Sequence, residues 1–222
     1  MIDIKKVVLI APHPDDETIA LGGTISKFIK KGIEVSILIV SGHLPPLYKE
    51  SDFENTKKEA ADAFKILGVK DYEFCKIPAT FIHQKPISEI NQIINKFIKT
   101  RSPELVFIPF PDRHIDHRTI FDASMVACRP VGDFFPKVVL TYETLSETHW
   151  NAPAIEAQFV PDFFFDITQD IDDKLSALSA YKSQTKNNDS RSLEACKALA
   201  RFRGSQNGCL YAEACKLIRA IE

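Results

Sequence analysis

No Cys-x-x-Cys pair occurs among the five cysteines of this 222-residue chain, Cys75, Cys128, Cys196, Cys209 and Cys215. Their scatter and odd number argue against a disulfide framework and point to reduced thiols in a cytoplasmic protein. A dominant charge is also lacking. The 28 Lys and Arg against 30 Asp and Glu leave a formal net charge of −2, which offers nucleic acid or an anionic membrane no electrostatic attraction. Long apolar runs are absent as well. Val7 to Ile10 is too short for the apolar region of a signal peptide, and nothing approaches the ~20 apolar residues of a transmembrane segment. A lipid-linked substrate would have to be reached from the aqueous side. The first apolar run is not followed by Gly-x-Gly-x-x-Gly, and there is no P-loop, which counts against a non-catalytic nucleotide-binding module. Internal repeats, low-complexity tracts and a clear domain boundary are missing too.

What is present reads as one domain over residues 1–222. Lys6 to Ala11, Ile33 to Val40 and Leu105 to Phe110 are short continuous apolar runs, suited to strands buried on both faces. Tyr72 to Ile77, Val138 to Tyr142 and Phe163 to Ile167 are further strand candidates. Helical spacing of apolar residues marks Thr18 to Lys31, Glu54 to Leu67, Ile87 to Ile98, His117 to Ala127, Ile171 to Tyr181, Leu193 to Phe202 and Tyr211 to Ile221. Asn151 to Pro161 reads as a loop and Lys186 to Ser190 as a turn. Alternating strands and helices predict an α/β, Rossmann-like three-layer fold. It has a mostly parallel sheet, helices on both faces and a C-terminal helical and strand elaboration. In such sheets ligands gather beyond the carboxyl ends of the strands.

Two clusters fall at such ends: Pro12-His13-Pro14-Asp15-Asp16-Glu17 and His114-Ile115-Asp116-His117. His13, Asp16 and His117 form a two-histidine, one-carboxylate set of the kind that holds a catalytic divalent metal with one position open for water. An ion held there lowers the pKa of its water from about 15.7 toward 7. Asp15 is then a spare carboxylate placed to act as general base. His114, oriented by Asp116 and protonated, would stabilise an oxyanion or protonate the leaving amine. Taken alone, Asp15, Asp16 and Glu17 equally suit the acidic first turn of a helix. The joint occurrence of both clusters favours the metal site. Arg113, beside His114, and His43, beyond the second strand, are candidate substrate contacts. His83 and His149 read as structural or exposed, and Trp150 as either a sugar-stacking residue or a loop anchor.

Ala11 to Gly23 (APHPDDETIALGG) resembles the signature of the PIG-L/LmbE-like N-deacetylase family, and Pro111 to His117 (PDRHIDH) resembles its downstream element. Ser41-Gly42, Glu59 to Gly68, Tyr181 to Gln184 and the tail from Arg203-Gly204 through Tyr211-Ala212-Glu213 are similar to the family pattern as well. The resemblance implies that His13, Asp16 and His117 bind a divalent metal. Zinc (Zn2+) is the expected ion, although the donor set also suits Fe2+ or another divalent metal. It further implies that Asp15 is the base and that His114, supported by Asp116, assists the oxyanion or leaving group. The implied substrates are small N-acetylated amino sugars, free, conjugated or lipid-linked. A non-sugar N-acyl substrate is the alternative, and a homo-oligomer is left open. One position departs from the pattern: Thr56 stands where many members carry an arginine three residues before the glutamate matched by Glu59.

Overall fold

The computed structural model describes residues 3–185 and 189–222. Seven strands form one sheet: β1 (Lys6–Ala11), β2 (Glu34–Ile39), β3 (Asp71–Phe74), β4 (Leu105–Pro109), β5 (Val138–Tyr142), β6 (Phe163–Asp166) and β7 (Ala212–Ala220). Their order is β3-β2-β1-β4-β5-β7-β6. The first five are parallel, and β7 joins β5 and β6 antiparallel. The helices are α1 (Asp16–Lys30), α2 (Glu50–Leu67), α3 (Ile87–Arg101), α4 (Ile115–Ala127), α5 (Ile171–Ala180), α6 (Lys182–Thr185) and α7 (Leu193–Ser205).

The period-2 geometry of a strand explains why the inner strands are apolar throughout. Val7, Leu9 and Ala11 of β1 join one core with α1, α2 and α5, while Val8 and Ile10 join a second core with α3 and α4. Leu105 and Phe107 of β4 divide from Val106 and Ile108 in the same way. Because β1 and β4 are parallel neighbours, the loops leaving their carboxyl ends emerge side by side. This brings the two sequence clusters together across about a hundred residues of chain.

Three helices, α1, α2 and α4, begin earlier than their apolar spacing predicts. The first three residues of α2, Glu50, Ser51 and Asp52, are polar, but the Asp52 carboxylate accepts from the Lys49 N–H and fixes the start. α4 starts at Ile115 because the His114 side chain caps it. The tail is a correction: Tyr211 to Ile221 is spaced like a helix, yet Ala212–Ala220 is a strand. Its local helical preference loses to pairing on both edges, and Ala212, Ala214 and Cys215 are buried between β5 and β6. Of the turn expected at 186–190, residues 186–188 lie outside the described residues, and Asp189–Arg191 is a single 3-10 turn.

Helix α1 is kinked at Leu21, whose φ of −132° is not helical. The groups freed there are met by a buried pair. Glu213 accepts from the Gly23 and Thr24 N–H groups, and the Lys174 ammonium donates to Ile19 O and to Glu213. A Cβ on Gly23 would sit 2.7 Å from Ile167, so the helix approaches the chain after β6 more closely than an alanine permits. Among the described residues, no helix is long and apolar enough to cross a membrane. Lys174→Ala leaves the Glu213 carboxylate buried without its cation. The expected loss is about 3–5 kcal/mol of unfolding free energy, read by urea denaturation; a loss below about 1 kcal/mol would contradict this account of the kink.

Candidate metal centre

The chain turns sharply after β1. Asp15, the residue before α1, has φ 119°, a left-handed conformation that costs a non-glycine residue on the order of 1–3 kcal/mol. Glu17 holds this turn: its Oε2 accepts from the Asp15 N–H, while Oε1 accepts from the Thr18 and Tyr181 hydroxyls. The turn directs His13, Asp15 and Asp16 to the space above the sheet, where α4 presents His114, Asp116 and His117.

Asp16 Oδ2 is the hub. It accepts from the His13 N–H at 2.9 Å, lies 3.1 Å from His13 Nδ1 and is 3.4 Å from His117 Nε2. The far side of each imidazole meets another buried carboxylate, Asp116 Oδ2 at 3.0 Å from His13 Nε2 and Asp112 Oδ2 at 2.9 Å from His117 Nδ1. Burial by itself would lower both histidines. The hydrogen bonds with Asp116 and Asp16 outweigh it and raise His13 to about 9. Asp16 and Asp112 likewise raise His117 to about 10. For Asp16, burial opposes ionisation, but His117 and His13 hold it well below the usual carboxylate range.

Asp15 is 1% exposed. Burial, with the Asp16 and Glu17 charges, pushes its pKa to about 7 against the Arg191 guanidinium, which donates to Asp15 Oδ2 at 3.4 Å. A carboxylate tuned to this range suits general-base work at neutral pH. Arg191 is itself held by Glu147 Oε1 at 2.8 Å.

His114 differs from the expected protonated group. Burial and the neighbouring His13 and His117 charges lower it to about 4, so it is neutral at pH 7. Its Nδ1 accepts from the Asp116 N–H at 3.1 Å, which leaves the proton on Nε2 as a hydrogen-bond donor. The Asp116 carboxylate does not orient it. That carboxylate lies 4.0 Å from His114 Nδ1 and instead bonds His13 and the Thr80 N–H.

Does a divalent cation suit this cluster? Among the described residues, His117 Nε2 is buried with no hydrogen-bond partner, and Asp116 Oδ1 is another such atom. Ligand atoms of His13, His114 and His117 lie within 4.8 Å of one another, with Asp16 Oδ2 between His13 and His117. Imidazole nitrogens around a central carboxylate, braced by further carboxylates, are a fitting donor set for a metal.

The structure thus gathers His13, Asp15, Asp16, His114, Asp116 and His117. It does not add Arg113, which is largely exposed and sits 3.8 Å from Glu156. His43 edges a neighbouring pocket beside Tyr48, at 4.4 Å between ring centroids. His83 is exposed, His149 bonds Glu143 at 3.2 Å, and Trp150 is 54% exposed. Sequence reasoning missed Asp112 and Arg191. Asp112 had a usable signal, a carboxylate just past β4 and five residues before His117. Arg191 had none, since it arrives from a distant turn.

Residues 8–128 match the family model described as PIG-L, GlcNAc-PI de-N-acetylase. The diacetylchitobiose deacetylase of Thermococcus kodakarensis is 28% identical, with 99% of this chain and 85% of that protein covered. A probable N-acetyl-alpha-D-glucosaminyl L-malate deacetylase 2 of Bacillus cereus is 27% identical, over 82% of this chain and 84% of that protein. Among solved structures, the conserved protein TT1542 of Thermus thermophilus has a TM-score of 0.78 at 25% identity, covering 99% of this chain and 97% of its own.

His13 and His117 titrate above the 6.5 of a free imidazole. Their stabilising contribution is therefore fully present below pH 6.5 and is lost as the pH rises through about 9 and about 10. The thermal midpoint of metal-free protein should fall between pH 7 and 10, and fall less once a cation replaces those protons. A midpoint equally flat in both forms would contradict this charge state. Asp112→Asn should weaken cation binding about 10–100-fold by calorimetry; unchanged affinity would remove Asp112 from its supporting role.

Proposed function

Because the chain belongs to the PIG-L family, we propose that it is a metal-dependent N-deacetylase that hydrolyses the acetamido group of an N-acetylated amino sugar or its conjugate. The observation that carries this reading is the buried His117 Nε2, which makes no hydrogen bond among the described residues and faces Asp16 at 3.4 Å, with the Asp15 carboxylate alongside. His13, Asp16 and His117 are the proposed metal ligands, and the His114 ring also stands within ligating reach. Zinc is the proposed ion, with Fe2+ or another divalent metal suited to the same donors. We take residues 1–222 as a single LmbE-like deacetylase domain acting in the cytoplasm.

A cation held by these residues supplies Lewis acidity and makes a water acidic enough to be deprotonated near neutral pH. Asp15 takes that proton as the water oxygen bonds to the acyl carbon. The neutral His114 donates from Nε2 to the developing oxyanion, a role that needs no imidazolium. As the carbon–nitrogen bond breaks, the proton held by Asp15 passes to the leaving nitrogen, so acetate and a free amine leave and the carboxylate is restored. Arg191 keeps Asp15 from rotating away and is itself fixed by Glu147.

Asp15→Asn keeps the shape and removes the base. The expected result is a fall in kcat of about 10²–10⁴-fold on an N-acetylglucosaminyl substrate, with bound metal per chain unchanged. A variant retaining most of its turnover would remove Asp15 from the base role.

A further inference from the structure

Beside the metal cluster lies a pocket of about 340 Å3, lined by His43, Tyr48, Asp52, Asn55, Thr56, Ser183 and Gln184. Its volume falls within the ~300–1,000 Å3 of small-molecule sites. β2 feeds this wall directly: Val40 and Ser41 pair with Ala11 and Pro12, the residues before His13. His43 therefore stands where pocket and cluster meet, close enough to feel the His13 and Arg191 charges. A Cβ on Gly42 would lie 2.6 Å from the Phe53 ring, so this close seating of the loop on α2 requires glycine.

The charge of the lining decides what fits. Among the described residues it contains no Lys or Arg, and its one carboxylate, Asp52, is exposed. Thr56 is 1% exposed and its hydroxyl is spent on the Asp52 and Phe53 carbonyls of its own helix. α6 closes the far side, because Glu59 accepts from the Ser183 N–H and hydroxyl. Asn55 and Gln184 contribute neutral amides, able both to donate and to accept, and Tyr48 contributes a half-exposed ring face.

We infer that this pocket binds the part of the substrate beyond the acetamido sugar, and that it selects an uncharged saccharide over a carboxylate- or phosphate-bearing conjugate. The inference rests on the hydrolase reading and narrows its substrate class. A neutral sugar stacks one face on Tyr48 and pairs its hydroxyls with Asp52, Asn55 and Gln184. An anion placed there meets the Asp52 carboxylate with no Lys or Arg among the described lining residues to offset it, and the nearby Arg191 is already paired with Asp15 and Glu147; such like-charge contact is a strong discriminator.

The test compares kcat/KM for a neutral disaccharide of N-acetylglucosamine with that for an N-acetylglucosaminyl conjugate carrying a carboxylate, using the metal-loaded full chain. The neutral substrate should be preferred by about tenfold or more. Asn55→Lys, at an exposed helical position, should shrink that preference at least about tenfold, mainly through KM. Tyr48→Ala should raise KM for the neutral substrate with little change in kcat. Equal or reversed preference in the unaltered chain, or variants that leave both KM values where they were, overturns the inference. If neither compound loses acetate, the hydrolase reading falls. The pocket is then judged by NMR titration with the neutral disaccharide: saturable shifts lost in Tyr48→Ala uphold the subsite, and their absence overturns it.

Discussion

Three carboxylates, Asp16, Asp112 and Asp116, are each at most 2% exposed and face His13 and His117 across distances of 2.9 to 3.4 Å. Buried anions of this density persist only if matched by positive charge. The matching charge takes two interchangeable forms, protons on the two imidazoles or a divalent cation among their nitrogens. The rest of the site follows from that balance. Asp15 lies at the margin, where burial and its neighbours' negative charges leave it poised near neutrality. His114, next to the positive imidazoles, is kept neutral. The protonation state of each group is thus set by its position relative to one charge cluster.

Holding that cluster in place draws on distant parts of the chain. The strained backbone of Asp15 is supported through Glu17 by the Tyr181 hydroxyl, and its carboxylate is steadied by Arg191. The kink of α1, one turn further on, is satisfied by Lys174 from α5 and Glu213 from β7. The C-terminal third is therefore the brace of the turn after β1 rather than an appendage to the parallel sheet. The family-like segments Tyr181 to Gln184 and Tyr211 to Glu213 acquire physical roles here: the first supports Glu17 and ties α6 to α2, and the second delivers the carboxylate that meets the kink.

The parallel half of the sheet was legible because its strands are buried on both faces and read as unbroken apolar runs. The helices between them carry clear periodicity. Residues 13, 15, 16, 114, 116 and 117 were legible as a group because strand ends of an α/β sheet are where chemistry collects. Pairings across the site were not. Asp116 is next to His114's helix turn in sequence but bonds His13, since the side chain of the first residues of α4 turns toward β1. The charge state of His114 depends on two imidazoles brought in from elsewhere, which no local pattern carries. The strand Ala212–Ala220 was unreadable for a similar reason: its residue types and spacing fit a helix, and only the open edge left by β5 and β6 makes it extended.

The charge-balance account is tested most directly by calorimetric titration of metal-free protein with a divalent cation in buffers of differing ionisation enthalpy near pH 7.5. It predicts one cation per chain and release of about two protons, from His13 and His117, with binding lost in His117→Ala. Binding without proton release, or unchanged in that variant, would contradict it.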